Sequence, residues 1–254
     1  TEGFGDYITD IEYLRRYPKI FSIYKESKKN EDTSEVTSRN FYPPRVKDMN
    51  SRINILHSYG WEESEFPSDW VADFNLFLQG ITVMSNQVKK ILMDNGVHIP
   101  IRVSGVGVNH LNKIQPSLNF SVKAKKFKFL HISSCFPRKG VDILLNAFSK
   151  QFTINDNVSL IIKTFNNPHN DVDKILDNLK NKNPRFPNVI VLKDDLNDEQ
   201  IKSLYLQSNV LVAPSRGEGF GLPIAEAMLL GIPVITTKWG GQIDFCNSNN
   251  SWLI

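Results

Sequence analysis

Short apolar runs alternate with amphipathic stretches over most of this chain. One stripe of apolar residues recurs at spacings of three and four, which places it on one helix face: Val172, Ile175, Leu176 and Leu179. The continuous runs LIIK at 160–163 and VIVL at 189–192 are typical of strands buried on both faces of a sheet. The predicted strands lie at 53–56, 81–84, 99–103, 127–132, 159–165, 189–192, 210–213 and 233–236, and the predicted helices at 70–78, 87–93, 141–150, 172–179, 199–207 and 223–230.

This alternation predicts an α/β fold with two Rossmann-like, doubly wound parallel sheets, because parallel strands joined through helices use right-handed crossovers. We expect an amino-terminal domain over 1–110, a linker over 111–122 and a carboxyl-terminal domain over 123–254. Residues 1–50 are predicted to be irregular, with a polar loop at 25–40, and Thr9 with Glu12 resembles a capping box. Because both chain ends look abrupt, we expect the amino-terminal domain to be incomplete and the other to lack its last elements.

Composition and charge narrow the class of protein. Hydrophobic residues make up 41% and charged residues 22%, as in ordinary soluble domains. The net charge of +3 suits anionic ligands, but no concentrated basic face favours nucleic acid. Cys135 and Cys246 are predicted to be free thiols in a reducing compartment. Apolar runs fall short of the roughly 18 residues that span a bilayer, and no signal peptide is evident, so we expect a cytoplasmic location.

The tetrapeptide EGFG occurs at 2–5 and again at 218–221, in different settings. The second copy follows the predicted strand 210–213 and precedes a helix that carries Pro223 in its first turn. Ligands of open α/β sheets bind at the carboxyl ends of strands, so main-chain N–H groups there are expected to face anions or hydroxyls. The first copy lacks this setting, and we predict that it is a coincidence.

A second carboxylate, Glu226, follows Glu218 by eight residues. If the helix starts at Leu222, Glu226 lies about 6 Å along its axis, at ~1.5 Å per residue. Burying a charged group on an otherwise apolar helix is costly unless it has a polar partner or ligand. We therefore predict that the two carboxylates flank one elongated polar ligand.

The segment PSRGEGFGLPIAEAMLLGIPVITT at 214–237 resembles the signature of retaining GT-B glycosyltransferases of the large bacterial family four type. FLHISSCFPRKGVDILLNAF at 129–148 resembles the first strand, phosphate loop and helix of the carboxyl-terminal domain in that family. Weaker similarities lie at 61–70, 84–92, 103–109 and 192–212. The resemblance implies the GT-B fold, with two Rossmann-like domains facing a cleft.

The resemblance also implies roles for individual residues. Glu218 would bind hydroxyls of the donor sugar, Glu226 the ribose hydroxyls, and Lys139 the diphosphate, which leaves Glu218 and Lys139 as the candidate catalytic residues. The implied donor-binding set is Arg138, Lys139, Glu218, Gly219, Phe220, Gly221, Leu222 and Glu226. The family often has an arginine where this chain has Ser133 and Ser134, and Arg138 is the candidate replacement.

Other polar residues have competing interpretations. His57, Trp61 and Glu62 are candidates for the acceptor side, although a structural histidine and a core tryptophan explain the first two equally well. Asp171 and Asp173 have the Asp-x-Asp spacing of metal-dependent GT-A enzymes, but they open a predicted helix, where capping explains them. We expect no metal and no other cofactor.

The resemblance thus implies a metal-independent glycosyltransferase that moves a sugar from a nucleotide-diphosphate donor to an acceptor hydroxyl, with retention of configuration. Its acceptor would be a glycan, a lipid-linked glycan or another hydroxyl compound in polysaccharide or glycan assembly, with peripheral association at the inner membrane surface as a further expectation. The alternative is a non-catalytic module, degenerate or truncated, that binds a nucleotide sugar or glycan. Phosphorolysis on the same fold also stays open.

Overall fold

The computed structural model describes residues 10–27 and 34–254, and its strands form two wholly parallel sheets. The strands of the first sheet are β1 (Val36–Arg39), β2 (Ile53–Tyr59), β3 (Gly80–Val83) and β4 (Ile101–Val103), in that spatial order. Those of the second are β5 (Phe127–Ile132), β6 (Val158–Lys163), β7 (Asn188–Leu192), β8 (Val210–Ala213), β9 (Val234–Thr236) and β10 (Trp252–Leu253). The predicted α/β class is confirmed, while the domain boundaries stay a prediction.

Helices connect most of these strands. They are α1 (Ile11–Arg15), α2 (Pro18–Ser27), α3 (Ser68–Phe77), α4 (Asn86–Asp94), α5 (His110–Lys113), α6 (Val141–Gln151), α7 (Val172–Lys182), α8 (Asp198–Leu206) and α9 (Leu222–Leu229). Two short 3-10 helices lie at Pro137–Lys139 and Gly241–Asp244. The Ser85 hydroxyl accepts from the Val88 N–H at the start of α4, and Asn197 forms a capping box with Gln200 at the start of α8.

The second sheet has the spatial order β10-β9-β8-β5-β6-β7. The chain therefore adds strands outward from β5 through β7, and then returns to the other side of β5 to add β8 to β10. This reversal between β5 and β8 is a topological switch point, where the loops after the two neighbouring strands diverge and leave a crevice. Phe129 pairs with Val210 and Leu130 with Leu211, which brings the ends of both strands to one edge.

The packing follows the position of each strand in its sheet. In β6 the residues from Ser159 to Lys163 are buried, as predicted for a strand covered on both faces. In β7 all five residues are only partly buried, because this strand lies at the edge of the sheet. The core beneath the switch point includes Leu130, Leu211 and Ile224. Burial of this apolar surface contributes roughly 25 cal/mol per Å² to folding.

One prediction near the amino terminus is wrong. The region predicted as a polar loop at 25–40 contains the end of α2 and the strand β1, which pairs with β2. At α1 the capping residue is Asp10, whose carboxylate accepts from the Tyr13 N–H. Thr9 and the first EGFG copy lie outside the described residues.

The two amino-terminal helices leave large apolar side chains exposed. Tyr13, Tyr17, Ile20 and Ile23 all have about half of their surface accessible. Arg15, Arg16, Lys19 and Lys25 interleave with them along the sequence. None of the helices in residues 10–27 and 34–254 has the length and apolar content needed to span a bilayer.

Candidate functional site

The loops that follow β5 and β8 contact each other at the switch point. The Arg216 N–H donates to the Arg138 carbonyl at 2.7 Å, which ties the two loops together by their main chains. Gly140 stands between the 3-10 helix and α6 with φ of 70°, and a Cβ there would lie 2.1 Å from the Pro214 carbonyl oxygen. Only glycine fits this position, because it tolerates both the left-handed conformation and the close approach.

Lys139 and Glu218 form the charged centre of the site. The Lys139 Nζ lies 2.7 Å from both carboxylate oxygens of Glu218, and their side chains are 14% and 9% exposed. The buried Ser215 hydroxyl donates to Glu218 Oε1 at 2.7 Å. An ammonium has three donors and a carboxylate has about four acceptor positions. One donor of Lys139 and at least one acceptor position of Glu218 therefore remain for a ligand.

The main chain after Glu218 presents unpaired donors. Gly221 adopts φ of 91° at the start of α9, so the chain turns sharply there. Within residues 10–27 and 34–254, no acceptor receives the N–H groups of Gly219, Phe220, Gly221 or Leu222. Together with the positive end of the α9 dipole, these groups can bind an anion or sugar hydroxyls.

The Glu218 loop is supported from the side of β9. The Gly241 N–H donates to the Glu218 carbonyl at 2.7 Å, and a Cβ on Gly241 would lie 2.0 Å from the Gly219 carbonyl oxygen. The fully buried Gln242 donates its amide to the carbonyls of Thr237 and Trp239 at 3.0 and 2.8 Å. These contacts fix the main chain on which Glu218 stands.

Glu226 is held by a tyrosine that lies behind it. The Tyr205 hydroxyl donates to Glu226 Oε2 at 2.7 Å, and His110 Nε2 lies 3.9 Å from Oε1. Burial raises the pKa of Glu226 above its usual range, although the Tyr205 hydrogen bond partly offsets this. Burial beside this carboxylate also raises the pKa of Tyr205 far above its usual value. Glu226 thus pays a desolvation cost at neutral pH.

His131 fixes the start of the loop after β5. Its Nδ1 lies 2.8 Å from the Val212 carbonyl and its Nε2 lies 2.8 Å from the Ser133 hydroxyl. Burial lowers the pKa of His131, so the ring is neutral. Because a carbonyl can only accept, Nδ1 carries the proton and Nε2 accepts from Ser133. Ser133 in turn accepts from the Cys135 N–H at 3.0 Å.

Arg138 contacts both halves of the molecule. Its guanidinium donates to the Gly217 carbonyl at 3.2 Å, and it lies 3.2 Å from Glu62. In this arrangement Arg138 joins the two halves of the molecule. Its role as the replacement for the family arginine stays a prediction.

The predicted acceptor-side residues occupy different positions. The main chain of Trp61 and Glu62 lies directly against the Glu218 loop, since a Cβ on Gly217 would be 2.5 Å from the Glu62 carbonyl oxygen. The Trp61 ring itself packs on Phe66, with ring centroids 5.0 Å apart. His57 lies inside β2, exposed, with Nδ1 2.8 Å from the Ser38 hydroxyl.

The two aspartates at the start of α7 fit the predicted explanation in part. Asp171 is the N-cap residue but its side chain makes no capping hydrogen bond. Asp173 lies in the first turn, where the helix dipole favours an acidic group, and it forms an ion pair with Lys193. In the part of the chain that the structure describes, no three His, Cys, Asp or Glu side chains cluster closely enough to hold a metal ion.

Sequence reasoning missed the residues that orient the predicted ones. Ser215, Tyr205, His131 and Gln242 carry no motif of their own. Ser215 lies in the segment 214–237, and its position three residues before Glu218 is the signal that points to it. The partners Tyr205 and Glu226 are 21 residues apart, so only the folded chain reveals their contact.

Comparisons with known proteins agree with this geometry. A family model described as "Glycosyl transferases group 1" matches residues 116–254, more than half of the chain. The serotype-specific mannosyltransferase WbdA of Escherichia coli is 32% identical over 107 residues, which cover 42% of this chain and 13% of WbdA. The chain thus spans only a small part of that curated relative.

Solved structures show the same fold. Sucrose-phosphate synthase from Thermosynechococcus elongatus aligns with 98% of this chain and 67% of its own, with a TM-score of 0.68 and 19% identity. The Anabaena protein Alr3699/HepE, solved in complex with UDP and glucose, aligns with 80% of this chain and 57% of its own, with a TM-score of 0.67 and 22% identity. The predicted GT-B architecture is confirmed. The chain belongs to the glycosyl transferases group 1 family, and the loops after β5 and β8 both lie in the matched region.

Proposed function

We propose that this chain carries the donor site of a glycosyltransferase that moves a sugar from a nucleotide-diphosphate sugar to an acceptor hydroxyl, without a metal ion and with retention of configuration. The observation that carries the proposal is the buried Lys139–Glu218 pair, placed beside the unpaired N–H groups at the start of α9. The pair combines a cation for phosphate with a carboxylate for sugar hydroxyls. Its position at the switch point is where such folds bind ligands.

In the proposed reaction, the bond between the anomeric carbon and the diphosphate oxygen breaks, and its electron pair leaves with the diphosphate. Lys139 and the N–H groups of Phe220, Gly221 and Leu222 stabilise this developing charge. The acceptor oxygen bonds to the anomeric carbon and loses its proton to the departing diphosphate. Glu218 holds the sugar hydroxyls during the transfer, and Glu226 holds the ribose.

The experiment that tests the donor site is calorimetric binding of UDP, GDP and ADP, with EDTA and with added Mg²⁺. We expect one nucleotide to bind equally well in both conditions. Lys139→Ala should weaken this binding about 10-fold or more, because it removes a charge-assisted contact and leaves Glu218 buried without its partner. Glu226→Ala should weaken it as well.

The matched control is Lys90→Ala, since Lys90 is an exposed lysine that pairs with Asp94 on α4. This variant should bind like the parent. Equal binding by the parent and Lys139→Ala, or binding that requires Mg²⁺, would contradict the proposed site. A full-length protein that binds the nucleotide but transfers no sugar would establish the non-catalytic alternative, and the anomeric configuration of a product, read by NMR, tests retention.

The acceptor and the location of the protein are further parts of the proposal. His57, Trp61 and Glu62 are the candidate acceptor residues, and a glycan or lipid-linked glycan is the proposed acceptor. WbdA, a mannosyltransferase, supports sugar assembly of this kind. The exposed apolar and cationic side chains of α1 and α2 support peripheral association with a membrane, which sedimentation with anionic and neutral vesicles would test.

A further inference from the structure

Tyr205 is a fully buried residue with one polar atom, and that atom reaches the donor site. Its hydroxyl lies 2.7 Å from Glu226 Oε2 and 3.3 Å from the Pro223 carbonyl. A phenol has a single proton, and the shorter contact to a charged acceptor is the stronger one. The Tyr205 hydroxyl therefore donates its hydrogen bond to Glu226 and not to the Pro223 carbonyl.

The other carboxylate oxygen of Glu226 faces the opposite direction. Oε1 lies toward His110, whose side chain is 52% exposed, whereas Oε2 lies toward the fully buried Tyr205. Glu226 itself keeps 18% of its side chain accessible. Oε2 is thus held by Tyr205 in the interior, whereas Oε1 accepts no hydrogen bond within the described residues and has His110 at 3.9 Å.

We propose that Tyr205 is a positioning residue, which holds Glu226 so that Oε1 is presented to the ribose diol of the nucleotide. The inference rests on the proposed function, because it assumes that Glu226 binds ribose. A carboxylate at the end of a free side chain would have to lose rotamer freedom on binding. The hydrogen bond from Tyr205 removes that cost before the ligand arrives.

The test compares a ribonucleotide with its 2′,3′-dideoxy counterpart. The probe is whichever of UDP, GDP and ADP binds the parent chain, and its dideoxy form lacks both hydroxyls that Glu226 would accept from. We expect the parent to prefer the ribonucleotide. Tyr205→Phe should bind the ribonucleotide about 10-fold more weakly and the dideoxy form unchanged, so that the preference falls.

The control is Tyr59→Phe. Tyr59 is also buried, but its hydroxyl has no hydrogen-bond partner in the described part of the chain, so the same chemical change should leave both affinities as in the parent. If Tyr205→Phe weakens both nucleotides by the same factor, Tyr205 supports the fold only and the inference is overturned.

A double variant keeps the test valid if Tyr205→Phe folds poorly. With Glu226→Ala, the side chain that Tyr205 would position is gone, and adding Tyr205→Phe should not lower the affinity further if Tyr205 acts only through Glu226. Additive losses overturn the inference alone. If the parent binds no nucleotide, or binds both forms equally, the ribose role of Glu226 fails and the inference fails with it.

Discussion

Glu226 shows at the scale of one residue how function and stability compete. The side chain stands on an apolar helix and its pKa is raised because burial disfavours the charged form. Tyr205 and His110 offset part of this cost, and Asp198 adds to it. The folded state therefore binds a proton more readily than the unfolded chain does. Stability from this residue is present at acidic pH and is lost as the pH rises through the pKa of the folded state.

We predict that Glu226→Gln raises the melting temperature at about pH 7.5, because the amide removes the buried charge. Each unit by which the pKa of Glu226 is raised corresponds to about 1.4 kcal/mol. Below about pH 4 the parent carries a neutral carboxyl group, so parent and variant should melt together. Scanning calorimetry across this range measures the effect.

The control for this prediction is Glu63→Gln, the same change at an exposed position. The melting temperature of this variant should stay close to that of the parent at every pH. A Glu226→Gln variant that is less stable than the parent at neutral pH would show that the Tyr205 contact outweighs the cost of burial.

The sequence predicted Glu218 and Glu226 from the contiguous segment 214–237 and Lys139 from the separate segment 129–148, because both segments resemble the family. The sequence could not predict that the Lys139 ammonium donates to both carboxylate oxygens of Glu218, which is 79 residues away. Ser215 and Tyr205 were missed for the same reason, since hydroxyl partners leave no periodic pattern. Only the pairing of β5 with β8 brings these segments to one edge.

At the scale of elements, strands that are continuous apolar runs were the best predicted. β5 and β8 have their predicted bounds, because each is a short apolar run between clear breaks. β1 was missed because its sequence, VTSR, is mostly polar. It forms a strand because it pairs with β2. Arg39 at its end is buried beside Asp48, a long-range pair that composition cannot show. Local pattern thus predicts a strand well where the strand is itself an apolar run, and it misses a polar strand that forms through pairing.

We predict that Gly140→Ala destabilises the loop after β5. The left-handed conformation costs an alanine about 1 kcal/mol, and the added Cβ would also collide with the Pro214 carbonyl. We expect a loss of at least about 2 kcal/mol in the free energy of unfolding, together with weaker nucleotide binding. Urea denaturation and calorimetry measure the two effects.

Gly231→Ala is the matched control for Gly140→Ala. Gly231 has φ of 72°, close to that of Gly140, but a Cβ there meets nothing within 4 Å. It should cost only the conformational strain and leave nucleotide binding intact. Equal losses in the two variants would show that the approach of the two loops is not tight in solution.

At the scale of the whole molecule, the Glu218 loop also joins the two halves. The Ser85 hydroxyl donates to the Gly219 carbonyl at 2.6 Å, and Asp244 accepts from the Asn86 N–H at 2.7 Å. Ser85 and Asn86 begin α4, whose positive end faces the Asp244 carboxylate. The arrangement of the halves and the shape of the Glu218 loop are thus coupled.

We predict that Asp244→Asn loosens this contact and weakens nucleotide binding roughly 5-fold, although Asp244 touches none of the predicted donor residues with its side chain. Small-angle X-ray scattering should show a larger radius of gyration in the variant. The control is Asp94→Asn at the other end of α4, where the carboxylate pairs only with the exposed Lys90. An unchanged affinity in Asp244→Asn would show that the halves move independently.

The ion pairs around the site have one more consequence. Each cation of the two loops already has a carboxylate partner: Arg138 has Glu62, Lys139 has Glu218 and Arg216 has Asp142. A bound diphosphate would therefore find no excess positive charge in this site. The main-chain N–H groups and the α9 dipole would have to stabilise much of its negative charge. Dissolved ions screen a net charge at long range far more than they screen short contacts with fixed dipoles. Nucleotide affinity should consequently depend only weakly on ionic strength, unlike that of a pocket built from unpaired arginines.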